Sequence, residues 1–561
     1  MIQCPNCGGM LKFDITSQQM KCDSCSSLFD PYAFSMSGAE ESTEYDVTVF
    51  KCTQCGGEIY STDERAASFC SYCGASNVLE SRLTREKKPE LIIPFKQTKA
   101  QCQLAFEKFI KKSIFAPKSY REAGKADSFR GIYMPYWLYD MSQRCDVNIP
   151  TSTSHRSGDY IITDHYLCRG TLDNYYNGVS YDASSSFADD ISTEIAPFNV
   201  KDITTFNPSF LSGYYADVAD VSDATYRDTA VELAQESTYN YLVRQSPMKG
   251  NHFEEPKSTT KSKIKTNVNV TRSAMFPVWF MAYRNRNRVA YATVNGQTGK
   301  VSADVPMSVP KYFLCAGIIA AVIFVLLQMF LTITPDLLIV IAAILGLIGA
   351  IIYSSEIKKI VAKENYDDDK GMRARMEEKK RAREQAQRGA AFSGQDGYEL
   401  TKNDIRRMQN EAARRKKESK KGAGSLVTII VVIFFLFMFG PMIVGILAAV
   451  ASGLGVALVG GVIALILFII TLIISIKAKK NIDMMNSKNG LPSTLFTAAS
   501  MLIIAIISFW DPPSDLIYYG AAVLAMVGII LNLIDLMRCH NLLAMRPLPQ
   551  FDIYKGGDDR A

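Results

Sequence analysis

Four Cys-x-x-Cys pairs crowd the first 73 residues: Cys4/Cys7, Cys22/Cys25, Cys52/Cys55 and Cys70/Cys73. In each half, 14 residues separate the two pairs, and the whole pattern repeats at an offset of 48. A Cys-x-x-Cys turn sets two thiolates on one side of a knuckle. Two facing knuckles give tetrahedral sulfur coordination, the geometry Zn2+ prefers. Gly8-Gly9 and Gly56-Gly57 follow the first knuckle of each half, and Gly74 follows the last. Glycine there allows positive φ and lets backbone N–H groups turn toward sulfur. The pattern predicts two tandem four-cysteine zinc ribbons, each too short to fold without metal. Four thiolates leave no open position for water, so the two expected ions are structural rather than catalytic.

Three readings compete with zinc: disulfide pairing, a redox dithiol and an iron site, since four-sulfur sites also accept iron. No signal-peptide pattern opens the chain, and the charge pattern below puts this segment in a reducing compartment, which disfavours disulfides. No βαβ pattern surrounds the pairs, as a redox dithiol would need. The other cysteines, Cys102, Cys145, Cys168, Cys315 and Cys539, are scattered and read as buried small side chains or free thiols.

The C-terminal half changes the class of protein. Tyr312–Thr334, Leu337–Tyr353, Leu491–Trp510 and Leu516–Leu536 are long apolar runs, and Leu426–Ile476 holds 51 residues without a charge. About 20 apolar residues cross a bilayer, so the last run holds two spans with a turn near Gly453, and the total is six. Basic residues fall on alternate connections: 20 Lys/Arg in 355–425, four lysines in 477–488, and Arg538 and Arg546 in the tail. The positive-inside rule then places both termini in the cytoplasm of a multi-pass cell-membrane protein. The deeper parts of the spans carry no ionisable residue, the usual mark of a transport site. Gly346, Gly349, Gly453, Gly460 and Gly461 read as helix-packing positions.

Between the cysteines and the spans lies an α+β domain rich in antiparallel sheet. Leu91–Phe95 reads as a strand, and Thr98–Lys112 as a helix burying Leu104, Phe106, Phe109 and Ile110. Tyr226–Leu242 reads as a second helix. Met134-Pro-Tyr-Trp-Leu-Tyr139 and Phe276-Pro-Val-Trp-Phe280 echo each other as strands beginning with proline and burying an aromatic anchor, which suggests a duplicated half-domain. Asn295–Gly299 has hairpin-turn chemistry between Val289–Val294 and Lys300–Val305. The expected organisation is ribbon 1 at 1–36, ribbon 2 at 37–84, the α+β domain at 85–310 and spans one and two at 311–354. A charged helical connection at 355–425, spans three to six at 426–537 and a tail at 538–561 complete it.

The paired ribbons, Ile93-Pro-Phe95, Phe115-Ala-Pro117, Gly131–Tyr139, Phe210–Tyr215 and Val294–Lys300 resemble a family of bacterial, mainly Firmicute, membrane proteins with TFIIB-type zinc ribbons. The resemblance covers residues 1–306 and the spans only in kind. Members are often labelled primosomal-helicase-like, and some resemble envelope-stress proteins that recruit phage-shock-type or flotillin-like partners. The helicase activity is not expected here, because no Walker A loop occurs in the chain.

The resulting expectation is a non-enzymatic membrane scaffold or adaptor with a cytoplasmic protein-docking head, lipid around its spans and room for homo-oligomers. One alternative is a membrane-tethered nucleic-acid or replication-factor binder. It is disfavoured because residues 1–90 carry 8 Lys/Arg against 13 Asp/Glu. The other is a transporter of unknown substrate. His155, His165 and His252 lack ligand spacing, and Asp189-Asp190 and Asp367–Asp369 read as turns or solvated acids.

Overall fold

The computed structural model describes residues 2–34, 44–55, 57–61, 70, 72–73, 80–125, 129–245, 249–285, 288–330, 335–378, 380–381, 456–483, 492–510 and 512–547. The third expected span, the turn near Gly453, residues 382–425 of the charged connection, Gly56 and Gly74 lie outside them. The chain forms two compact units. One comprises Met1–Val305, Tyr366–Arg383 and Met545–Ala561, and the other Pro306–Asn365 and Glu384–Ala544.

The first cysteine half builds a three-stranded antiparallel sheet from β1 (Leu11–Asp14), β2 (Gln19–Cys22) and β3 (Leu28–Phe29). Period-2 alternation sends Leu11, Phe13, Met20 and Cys22 inward. There they join Phe95, Phe106, Tyr133 and Phe210 in one continuous core. Phe13 N–H donates to Ser212 O at 3.1 Å, and Ser212 Oγ donates back to Leu11 O at 2.5 Å. The ribbon is therefore fastened to the body through β1.

The second half contributes β4 (Glu44–Lys51), β5 (Glu58–Ser61) and β6 (Glu80–Lys87), and joins the body differently. The body's own elements are β7 (Leu91–Ile92), α1 (Lys99–Lys112), α2 (Lys118–Lys125), β8 (Arg130–Ser157), β9 (Tyr160–Asp182), α3 (Asp189–Ile195), β10 (Thr204–Thr205), β11 (Tyr215–Asp217), α4 (Ala224–Leu242), β12 (His252–Phe253), α5 (Lys257–Lys263), β13 (Asn267–Asn285), β14 (Arg288–Asn295) and β15 (Val301–Ala303). Tail residues Arg546–Pro547 (β16) pair with β14. The main sheet runs β10-β7-β13-β8-β11-β5-β4-β6, so β5 continues it through β11.

Helix α1 begins at a capping box. Gln101 N–H donates to Thr98 Oγ1, and Thr98 N–H to Gln101 Oε1. Its buried face is Cys102, Phe106 and Ile110, spaced by four. Leu104, expected inside, is 57% exposed because the stripe follows the i+4 row through Cys102. Helix α4 buries Tyr226, Ala230, Ala234, Thr238 and Leu242 on the same spacing.

The strands that carry the two Pro-x-Trp segments, β8 and β13, pair antiparallel, and the segments meet end to end at Met134 opposite Phe276. Neither strand begins with its proline, contrary to the sequence expectation. Pro135 lies where the neighbour of β8 changes from β11 (at Ile132 and Tyr133) to β9 (from Tyr136). Pro277 lies where the neighbour of β13 changes from β7 (at Ala274 and Met275) to β14 (from Val278). A residue's N–H and C=O point to the same strand edge, so each missing N–H falls in a gap between partners and costs no ladder bond. Each proline carbonyl still accepts one bond at 2.8 Å, from Ala183 N–H and Gly296 N–H respectively. Each tryptophan Nε1–H donates at 2.8 Å to a carbonyl shortly before a helix, Trp137 to Val221 ahead of α4 and Trp279 to Gln97 ahead of α1. Gly296 is required at its corner, since a Cβ there would sit 2.7 Å from the Phe95 ring and 2.8 Å from Pro277 Cβ.

The second unit is helical where described: α6 (Val309–Phe330), α7 (Pro335–Glu364), α8 (Val456–Ile482), α9 (Thr494–Trp510) and α10 (Asp515–Ala544). Four of these are long and apolar enough to cross a membrane: α6, α7, α8 and α10. Helix α9 is apolar but spans 17 residues. Small residues allow close approach, as at Gly346 against Thr497 and Met501 and at Gly461 against the Phe509 ring. Large apolar side chains such as Ile318, Phe324, Ile348, Val523 and Met526 point outward, as a lipid-facing surface would.

Candidate metal centres

The folded chain gathers the eight cysteines into two groups of four, Cys4/Cys7/Cys22/Cys25 and Cys52/Cys55/Cys70/Cys73, with all sulfurs of a group within 4.8 Å of one another. The closest pairs are Cys4–Cys25 at 3.6 Å, Cys7–Cys22 at 3.5 Å, Cys52–Cys73 at 3.7 Å and Cys55–Cys70 at 3.6 Å. A disulfide would need about 2.05 Å. A tetrahedral ion with metal–sulfur bonds of about 2.3 Å spaces its sulfurs about 3.8 Å apart. The donor set and its spacing therefore fit a tetrahedral thiolate-bound ion, and both groups could hold one.

Local backbone chemistry explains the knuckles. Cys4 N–H donates to Gly9 O at 2.7 Å and Gly8 N–H to Cys4 O at 2.9 Å, with Gly8 at φ +73. Cys22 repeats this with Ser27 O and Ser26 N–H, at 3.0 and 2.9 Å. Ser26 holds φ +58, a left-handed conformation that costs a residue with a Cβ. In the second group Cys52 N–H donates to Gly57 O at 2.9 Å, the counterpart of the Cys4–Gly9 bond.

The sulfurs also share protons unevenly. Cys52 is pulled far below the ordinary thiol range by hydrogen bonds from Cys55, Cys70 and Cys73, whereas hydrogen bonding to Cys52 pushes Cys55 and Cys70 up. Cys25 is drawn down to about 6, first by the Ser27 hydroxyl and then by its N–H. At Cys7 the Gly9 backbone bond lowers the value, but bonds to Cys25, Cys22 and Cys4 outweigh it and push the thiol up to about 12. Each group is thus arranged as thiolate and donors around one centre, where a cation would replace the shared protons.

The surroundings differ. Cys7 and Cys25 are exposed, while Cys4 and Cys22 are buried. All four cysteines of the second group are buried beneath Phe50, Ile59, Tyr72 and Met372, with Tyr366 and Met376 alongside. Tyr366, Met372 and Met376 come from the charged connection, which is helical over 370–378. Asp369 Oδ1 accepts from Met372 N–H at 2.7 Å and Asp189 Oδ2 from Lys370 N–H at 2.8 Å, while Arg375 pairs with Asp220 and Ser185.

Asp367 and Asp368 lie in a turn as expected, but Asp189-Asp190 open α3 and Asp369 is buried, so these three are neither turn residues nor solvated acids. Asp189 also accepts from Tyr226 OH at 2.5 Å, and Asp190 takes Arg546 Nη2 on both oxygens at 2.5 Å. Burial, then the Asp189 charge, pushes Asp369 up to about 7. Burial likewise holds the Asp182 carboxyl well above its usual range. Met372 and Met376, four apart in a charged run, were the sequence signal for this cover. Among the described residues no histidine joins a metal-ligating group. His165 Nδ1 instead faces Glu254, and His155 faces Asp164 at 3.7 Å.

No family model matches the chain, and no solved structure does. It is similar to the Bacillus subtilis (strain 168) protein described as "Uncharacterized protein YdjG", 26% identical over 311 residues, covering 54% of this chain and 90% of that protein.

Proposed function

We propose that this chain is a zinc-binding integral membrane scaffold whose ribbon-bearing unit docks cytoplasmic proteins. The observation that carries the reading is the pairing of two four-sulfur groups at tetrahedral spacing with apolar helices of membrane-crossing length in one chain. Zn2+ is the ion whose softness and geometry suit four thiolates, and its role is to fix the ribbon loops. The eight ligands are Cys4, Cys7, Cys22, Cys25, Cys52, Cys55, Cys70 and Cys73. Six spans, two of them in the uncharged run Leu426–Ile476 and α9 the fifth, would put both termini on the basic, cytoplasmic side.

The docking surface is the exposed first knuckle pair, where Pro5, Asn6, Cys7, Ser24 and Cys25 face solvent and Leu28 is 48% exposed. An envelope-stress role with phage-shock-type or flotillin-like partners follows from the family resemblance alone. The chain acts by binding rather than catalysis.

The test is affinity purification of the full chain from membranes, comparing wild type with Leu28→Asp and Cys7→Ser. A defined set of proteins lost from both variants supports docking at the first ribbon. An unchanged set, or no protein specific to the wild type, overturns it. Metal analysis of the same samples tests the zinc assignment separately.

A further inference from the structure

The two centres share ligands and spacing but not access. In the first, the sulfur of each exposed cysteine is in contact with that of a buried one: Cys25 with Cys4 at 3.6 Å and Cys7 with Cys22 at 3.5 Å. In the second, every cysteine is at most 2% exposed. Attack on a soluble peroxide requires a thiolate that the oxidant can reach, and disulfide formation then requires a second thiolate close by. Only the first group meets the access condition.

We propose that the first four-cysteine centre is a peroxide-reactive zinc–thiolate switch, with Cys7 and Cys25 as attacking thiolates and Cys22 and Cys4 as the thiols that resolve them. This rests on the zinc assignment above and adds regulation of that site.

The step balances as follows. The Cys25 thiolate attacks one oxygen of a hydroperoxide, the O–O bond breaks, and the Cys25 sulfenic acid and a hydroxide or alkoxide form. The Cys4 thiolate then attacks the Cys25 sulfur, an S–S bond forms, and hydroxide leaves. Two protons from the buffer convert the leaving groups to two waters, or to water and an alcohol. The two sulfurs lose two electrons and the peroxide gains them. The ion loses two of its four ligands and dissociates, and Cys7 and Cys22 can repeat the step with a second peroxide. Bringing Sγ atoms from 3.6 Å to about 2.05 Å requires the two knuckles to close on each other. Because Cys4 and Cys22 lie in the same core as Phe95 and Phe210, closure shifts the contact between ribbon and body.

The consequence for docking is direct. The exposed knuckles that would meet a partner are the ones that oxidation reshapes, while the second centre keeps the head folded.

The experiment uses the full chain in detergent, with zinc content measured before treatment. Hydrogen peroxide is added against a chromogenic zinc chelator, and cysteines are mapped by alkylation and mass spectrometry. The expected result is two ions per chain at the start and release of one, at least about tenfold faster than the other. Reversible disulfides Cys4–Cys25 and Cys7–Cys22 accompany it, and the second group stays reduced. Met372→Ala, which thins the cover, should speed release of the second ion while leaving the first unchanged. Equal release rates from the two centres in the wild type overturn the proposal, as does faster release from the second. An intra-knuckle Cys4–Cys7 bond overturns the assignment of resolving thiols. A chain that carries no zinc at the start fails the metal assignment itself, a separate outcome from equal release.

Discussion

The two cysteine groups are near copies in sequence and opposites in setting. Both place four sulfurs at 3.5–3.7 Å between closest pairs, as their identical spacing demands. Yet the first group leaves Cys7 and Cys25 in solvent, and the second is roofed by Met372 and walled by Phe50 and Tyr72. A repeat of ligands fixes coordination, which depends on a few local residues. Exposure depends on what the rest of the chain lays over the site. Ligand identity and ligand accessibility are thus separate properties, and only one of them is written in the motif.

The strongest way to break this comparison is to remove one ligand from each centre. With zinc in place, Cys55→Ser forfeits a share of the roughly 10–16 kcal/mol that a structural ion contributes, on the order of 5 kcal/mol. Because β5 continues the main sheet, the loss should open the whole unit to limited proteolysis. Cys7→Ser should empty the first centre but leave Leu11, Phe13 and Met20 in the shared core, so the unit stays resistant. Equal sensitivity of the two variants would show that burial does not separate the centres.

The next largest effect concerns the roof. Asp369 is pushed up from 3.8 to about 7, so the folded state keeps a proton that the unfolded chain has lost. Stability is then fully present below pH 3.8 and falls as pH rises toward 7, by about 4 kcal/mol in all. The groups facing Asp369 are Asp189 and Asp190, which raise it, and Arg546 and the Met372 N–H, which lower it. Hydrogen-exchange protection of 366–378, taken relative to the intrinsic rate at each pH, should fall across that window in the wild type. In Asp369→Asn the protection should be flat. A slope retained in the variant would assign the dependence to Asp182 or Asp189 instead.

Met372→Ala should cost about 2–5 kcal/mol, as a buried methionine does when it leaves a cavity. The readout is the denaturation midpoint of the head. A loss below about 0.5 kcal/mol would place Met372 among surface substitutions and remove it from the cover. The smallest effect lies in the first ribbon. Ser26→Gly relieves the left-handed backbone at φ +58 and should stabilise by about 1 kcal/mol, measured the same way. A loss of stability would mean that the Ser26 side chain does more than tolerate its backbone.

The sequence makes some of this legible because the determinants are local. Thr98 and Gln101 announce the start of α1, Asn295–Gly299 announces a turn, and Cys-x-x-Cys announces a knuckle. Asn295 Oδ1 accepts from both Gln297 N–H and Thr298 N–H at 2.9 Å, as such turn chemistry implies. What stays hidden is set by partners distant in the chain. The prolines of β8 and β13 read as strand starters by the usual rule. They are tolerated inside strands only because a neighbour ends there, which no local pattern records. Leu104 looks buried by hydropathy, but the body meets the Cys102 row. Asp369 looks solvated inside a charged run, yet it caps 370–378 against Asp189.

The head is stitched from three separate stretches of chain, with membrane-type helices encoded between them. Among the described residues its last stretch carries Arg546, whose guanidinium holds Asp190 across 356 positions of sequence. A ribosome works from the N-terminus, so the cysteines, the sheet and α3 all emerge long before their closing residue. Until α10 and the two residues beyond it are made, Asp190 lacks its arginine and β14 lacks β16. A chain truncated anywhere before Arg546 would therefore carry a nearly complete head that cannot close, and final tightening of the head would report that the last helix has been synthesised.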